Sequence, residues 1–279
     1  MSAILESLGV CSWSLQPNDH DDLVASVGRT GLSRVQLALD PLREGRWGVA
    51  DLRSAFDAAG LEVVSGMMGT IGEDYTTLET IARTGGVRPD EHWSANLEAA
   101  KGVARVACEL GLGLVTFHAG FLPETAGEER TKLLDRLQTV ARVFADAGIQ
   151  LGFETGQESA ETLEEVLNEL NADNVGVNFD PANMVLYDKD EPVAALERLL
   201  PYVLQIHVKD ATRTSTRGTW GAEVPVGSGD VDWVGFCRVL QSHGWQGDLI
   251  VEREAGEARV ADVRTAVEVF SAAWDGARA

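Results

Sequence analysis

QLGFETGQESAETLEEVLNELNADNVGVNFD, residues 150–180, contains one period of a pattern that runs through this 279-residue chain. QLGFET (150–155) and VGVNFD (175–180) are short apolar runs of strand character, carrying Glu154 and Asp180 at their ends. Between them Ser159 precedes AETLEEVL. That order places a capping hydroxyl and then carboxylates at the positive end of a helix dipole. Strand, helix, strand is the resulting expectation.

The same alternation extends to both ends. Further strands are expected at LGVCSW (8–13), RVQLAL (34–39), EVVSGM (62–67), LVTFHA (114–119), VLQIHV (203–208) and DLIVER (248–253). DLRSAFDAAG, NLEAAKGVARVACELG and TKLLDRLQTVARVFADAG space their apolar residues by three and four, as helices do. Gly31, Gly60, Gly111, Gly148 and Gly244 stand where such helices should stop. The longest irregular stretches are 69–88 and 210–231, and no low-complexity linker divides the chain. A single (β/α)8 TIM barrel domain over residues 1–279 is expected. The rival, an open doubly wound sheet, usually carries a Gly-rich phosphate loop after its first strand, where this chain has SWSLQPNDHDD.

Bulk properties narrow the function. The net charge of −21 argues against nucleic-acid and anionic membrane partners. Cys11, Cys108 and Cys237 are scattered without a CxxC pair, which fits a reducing compartment and neither a disulfide framework nor a zinc knuckle. MSAILESLGV lacks the basic region and apolar run of a signal peptide, and no segment approaches a membrane span. A cytoplasmic location is expected.

Function in such barrels sits at the C-terminal strand ends. Read in order, those ends carry His118, Glu154, Asp180, His207 and Glu252. Three carboxylates brought together would repel and raise one another's pKa, and a divalent cation removes that problem. Three oxygen donors with one imidazole suit Mn2+, Mg2+ or Co2+ in roughly octahedral geometry, with Zn2+ also compatible. In LQIHVKD (204–210), His207 and Lys209 face the same side of a strand, and a metal site explains the imidazole. Plainer readings compete. His207 alone could be a core histidine, and Glu154 or Asp180 alone could cap a helix. Glu254 competes with Glu252, which is preferred because it still lies within the apolar LIVE.

GFETG, NFDPAN, IHVKDATR, EVPVGSGDVDW (223–233) and VEREAG, taken together, resemble the xylose isomerase-like (sugar phosphate isomerase/epimerase) superfamily, which includes ketose epimerases and hydroxypyruvate isomerase. The resemblance covers nearly the whole chain. It implies one divalent metal, commonly manganese, held by Glu154, Asp180, His207 and Glu252. It also implies that Glu154 and Glu252 are catalytic, passing a proton on and off carbon through an enediolate. The implied substrate is a small ketose or related polyol-ketone. Arg213, six residues past His207, matches a substrate-binding arginine of the epimerase branch.

Lys209 and His118 are further substrate-binding candidates, with a salt bridge and a structural role as their respective alternatives. Asn183 stands where the ketohexose epimerases often have a substrate-binding histidine; it can hydrogen-bond a hydroxyl but cannot relay a proton. Hydroxypyruvate, an inosose, a keto-glycoside or another polyol-derived ketone therefore stays open. Glu158 is expected to start a helix, and Trp13 and Trp47 to wall the site or pack in the core. No phosphate cradle is evident. Barrels of this superfamily often associate, so a homo-oligomer is compatible.

Three other functions compete. A metal-dependent lyase could use the same groups to eliminate a β-substituent from a keto-sugar or keto-glycoside. An endonuclease IV-like nuclease would need many more histidines at strand ends; this chain has five in all, and His20, His92 and His243 fall in expected helices or at their edges. A sugar-binding barrel without catalysis is the third.

Overall fold

Val10 pairs in parallel register with Val35 on one side and Val251 on the other. The first strand is therefore bonded to its chain neighbour and to the last strand, and the sheet closes. In this computed structural model, which describes residues 3–156, 158–216 and 218–278, eight parallel strands form the wall. They are β1 (Leu8–Cys11), β2 (Arg34–Ala38), β3 (Glu62–Met67), β4 (Leu114–Phe117), β5 (Gln150–Glu154), β6 (Val175–Phe179), β7 (Val203–Val208) and β10 (Asp248–Val251), with β8 (Asp210–Thr212) and β9 (Ala222–Val224) lying outside the barrel. All eight expected strands are present, and helices connect them around the outside, as in a (β/α)8 barrel.

Local chemistry sets the helix ends. Ser159 accepts from the Thr162 amide and starts α7 (Ala160–Leu170). The long α5 (Asp90–Leu110) stops at Gly111, whose φ of 76° is left-handed and costs a glycine little.

Two stretches expected to be irregular contain regular structure. Residues 69–88 include α4 (Leu78–Thr84), started by a reciprocal cap between Thr77 and Thr80. Residues 210–231 include an antiparallel hairpin, β8 (Asp210–Thr212) with β9 (Ala222–Val224). β8 follows β7 after one residue, Lys209, so no turn signal separates the two strands. Asp210 holds the loop beyond the hairpin. Its carboxylate accepts from the amides of Gly227, Gly229 and Val231 and from the Trp233 indole.

The barrel interior departs from the aliphatic layers usual in this architecture. Gln36, Ser65, Thr116, Asn178 and Gln205 are fully buried there. Ser65 donates to Gln205 Oε1 (2.6 Å), Gln205 to Asn178 Oδ1 (3.3 Å), and Gln36 to Thr116 Oγ1 (2.8 Å). Such a layer is tolerable because its members satisfy one another. No described helix is long and apolar enough to cross a membrane.

Candidate active site

Four side chains converge above that polar layer. β5 ends at Glu154, Asp180 follows β6, β7 carries His207, and Glu252 follows β10. One ligating atom from each lies within 4.8 Å of those from the other three. Their exposures are 4%, 0%, 0% and 3% in that order. His207 Nδ1 is 3.4 Å from Glu252 Oε2, 3.6 Å from Glu154 Oε1 and 3.8 Å from Asp180 Oδ2.

Each is aimed by its neighbours. Asp180 caps α8 (Pro181–Leu186): Oδ1 accepts from the amides of Ala182 and Asn183, while buried Oδ2 has no hydrogen-bond partner and faces the Lys209 ammonium at 3.6 Å. His207 Nε2 lies 2.7 Å from Gln36 Oε1, an acceptor, so the ring proton belongs on Nε2. In the neutral ring His207 Nδ1 is then the lone-pair nitrogen, buried and without a hydrogen-bond partner; burial opposes charge there, but the neighbouring carboxylates raise the ring well above the usual histidine range, so Nδ1 holds a proton until a cation takes its place. Two such buried atoms among carboxylates fit a cation. Three carboxylates and one imidazole suit a hard or borderline divalent ion.

A second grouping, Cys11 with His207 and Glu252, is also compact. Cys11 lies on the Nε2 side of the ring, however, and burial pushes its thiol pKa far up. A neutral thiol bonded to Gln36 Oε1 is a poor ligand.

Lys209, 2% exposed, bridges the cluster. Its ammonium donates to Glu252 Oε2 (2.8 Å), Glu254 Oε2 (2.6 Å) and Asn183 Oδ1 (3.3 Å). Asn183 in turn donates to Glu154 Oε1 (2.9 Å). This approach needs Gly156, where a Cβ would fall 2.2 Å from that of Asn183. Trp13 donates its indole proton to Glu252 Oε1 (2.7 Å), a polar contact beyond the apolar wall expected of it.

These groups open into a cavity of about 390 Å³, lined by His118, Asn183, Lys209, Glu252 and Trp13 among others. Glu254 also lines it but stays half-exposed and bonds Lys209; Glu252 is the one beside His207. Arg213 is not brought to the cavity: its guanidinium reaches Asp188 and the Asp190 carbonyl. Trp47 packs at the edge of the core. Glu158 precedes α7 with a buried, unpartnered Oε1.

Sequence reasoning missed Gln36 and Asn178, which support His207 and Glu154, and the outer-wall residues Tyr75, Tyr187 and Trp220. The amides left a signal, since each interrupts an apolar strand on an inward position. Tyr75 and Trp220 left only their location in long loops after strands.

The family model for xylose isomerase-like TIM barrels matches residues 22–273. The chain belongs to that family. A xylose isomerase domain protein from Planctomyces limnophilus is 32% identical, with a TM-score of 0.83 over 90% of this chain and 91% of that one. An L-ribulose 3-epimerase shares the fold at 15% identity (TM-score 0.74, covering 97% and 95%). So does a xylose isomerase-like protein from Mycobacterium smegmatis solved with magnesium, at 17% identity (TM-score 0.70, covering 92% and 89%). Curated protein sequences give no match.

Electrostatics in this xylose isomerase-like barrel separate the site's acids. Burial pushes the Glu252 carboxyl up, but Lys209 and His207 outweigh it and hold it well below the usual range. Burial likewise opposes His118 and His207 at Glu154, and the histidines win, lowering it. Asp180 goes the other way, raised by burial despite Lys209. His118 loses charge to burial but is raised by Glu154 and Glu73. The arrangement can therefore present two ionised carboxylates, with the Lys209 ammonium and the His118 ring beside them as hydrogen-bond donors.

Proposed function

We propose that this protein is a divalent-metal-dependent sugar isomerase/epimerase acting on a ketose or related polyol-ketone. The observation that carries the reading is the convergence of Glu154, Asp180, His207 and Glu252, with Asp180 Oδ2 and His207 Nδ1 buried and without hydrogen-bond partners. These four would hold the ion: Mn2+ is the first choice, and Mg2+, Co2+ or Zn2+ are compatible. The magnesium in the M. smegmatis protein and the activity named for the L-ribulose 3-epimerase support it. When bound, such an ion supplies Lewis acidity that weakens the C–H bond beside a carbonyl.

The chain's own residues do the rest. Glu252, kept ionised by Lys209, takes or returns a proton at carbon, and Glu154 works from the other side of the cluster. Lys209 donates to Glu252 Oε2 and holds that carboxylate ready to accept a proton. Asn183, Lys209 and His118 orient substrate hydroxyls and the developing oxyanion. Arg213 joins them only if its guanidinium leaves Asp188. The buried floor keeps water from the reacting carbon.

A lyase reading is favoured by one feature: His118, raised and at the cavity wall, could protonate a departing β-substituent. Product mass separates the two, since epimerisation leaves it unchanged.

Exchange of substrate C–H for deuterium tests the reading. Chelation should abolish exchange, and Mn2+ or Co2+ should restore it. Glu252→Gln should lose roughly 100- to 10,000-fold in turnover while still binding substrate. Full exchange by metal-free protein, or near-normal turnover by the variant, would remove the mechanism.

A further inference from the structure

The cavity of about 390 Å³ has two ends that differ in chemistry. The inner end holds the carboxylate cluster, Lys209, Asn183 and His118. The outer end is aromatic. The Tyr187 and Trp220 rings lie 4.8 Å apart at 61°, and Phe121 continues the row 5.8 Å behind Tyr187. Tyr75, 46% exposed, also lines the cavity and is one of three large apolar side chains exposed among the described residues. The exposed Tyr75 ring and the half-buried Trp220 ring suit the C–H faces of a sugar ring or an apolar substituent, and a small free ketose seated on the cluster would leave them bare.

The charge is equally selective. Asp40, Glu73 and Glu254 line the cavity, and among its described residues Lys209 is the only lysine or arginine, with His118 held beside Glu154. Lys209 is already bonded to Glu252 and Glu254, and Arg213 to Asp188. A phosphate or carboxylate on the substrate would meet acceptors rather than donors. Asp40 and Glu73 are themselves tied to the amides of Gly69 and Gly86, so they offer hydroxyl acceptors more than a cation trap.

Resting on the isomerase/epimerase reading, we infer that the substrate is an uncharged keto-glycoside. Its keto-sugar ring lies over the carboxylate cluster, and its aglycone or second ring lies against Trp220 and Tyr75. Free and phosphorylated ketoses are poor substrates by comparison.

Mn2+-loaded protein tests this in D2O, with C–H exchange followed by NMR. The probes are methyl and phenyl 3-keto-β-D-glucopyranoside, D-fructose and D-fructose 6-phosphate, and the variants are Trp220→Ala and Tyr75→Ala. The glycosides should exchange at least about tenfold more efficiently than either fructose. Trp220→Ala should raise KM for the phenyl glycoside roughly three- to tenfold with little change in kcat. Equal efficiency for free or phosphorylated fructose overturns the inference, as does a variant effect that is absent or identical for D-fructose. If no probe exchanges, the isomerase/epimerase reading fails instead. Calorimetry with phenyl β-D-glucopyranoside, which cannot turn over, then decides the pocket: binding weakened by Trp220→Ala supports the aromatic subsite, and no binding to wild type overturns it.

Discussion

Gln36 Oε1 accepts a hydrogen bond from His207 Nε2 at 2.7 Å, and the amide's other end donates to Thr116 Oγ1 at 2.8 Å. Asn178 Nδ2 also lies near Nε2 but donates to Glu154 Oε2. Gln36 thus sets the tautomer that, in the neutral ring, leaves Nδ1 bare toward the carboxylates. Removing a group that orients a ligating histidine typically costs 10- to 100-fold in metal affinity. Gln36→Leu should weaken Mn2+ binding by about that range and redistribute the His207 tautomers seen by 15N NMR; unchanged affinity and tautomer would exclude the role. Glu158 makes a different point. Burial pushes its carboxyl up to about 8 from the usual 4.5. Between those values the unfolded chain has released this proton and the folded chain keeps it, so stability falls as pH rises through the window. Glu158→Gln cannot titrate. Its melting temperature relative to wild type should therefore climb between about pH 5 and pH 8; parallel curves would show that the carboxyl titrates normally.

At the scale of elements, Asp210 joins the hairpin of β8 and β9 to the loop that leads into α10 (Trp233–Ser242). Asp210→Ala would leave the amides of Gly227, Gly229 and Val231 and the Trp233 indole without their acceptor. Hydrogen bonds to charged groups are worth enough that the loss should reach at least ~3 kcal/mol. Denaturant unfolding measures it, and amide exchange at 227, 229 and 231 should quicken. A loss below ~1 kcal/mol with unchanged exchange would mean the loop is held otherwise. The eight strands were legible because each is a short apolar run bounded by helix caps and glycine stops. The hairpin was not, because β8 follows β7 with one residue between and β9 pairs across nine residues of loop. α4 was hidden for a similar reason: its seven residues carry little periodicity, and its start depends on the Thr77–Thr80 exchange.

At the scale of the whole molecule, barrel closure is what turns four sequence-distant residues into one cluster. β5, β6, β7 and β10 are consecutive in the wall, and their parallel register puts the ends at similar heights. That is why the candidate ligands could be named from strand ends alone. The rest of the cavity could not, because Tyr75 and Trp220 reach it from long connections whose path no local pattern dictates, and Arg213 turns to Asp188 for the same reason. The account stands on the claim that Glu154, Asp180, His207 and Glu252 share one divalent ion. Anomalous diffraction from a crystal grown with Mn2+ tests it most directly. A single strong peak bonded to Asp180 Oδ2, His207 Nδ1 and an oxygen each of Glu154 and Glu252 is the result expected; no peak there, or a peak held by other residues, would contradict it.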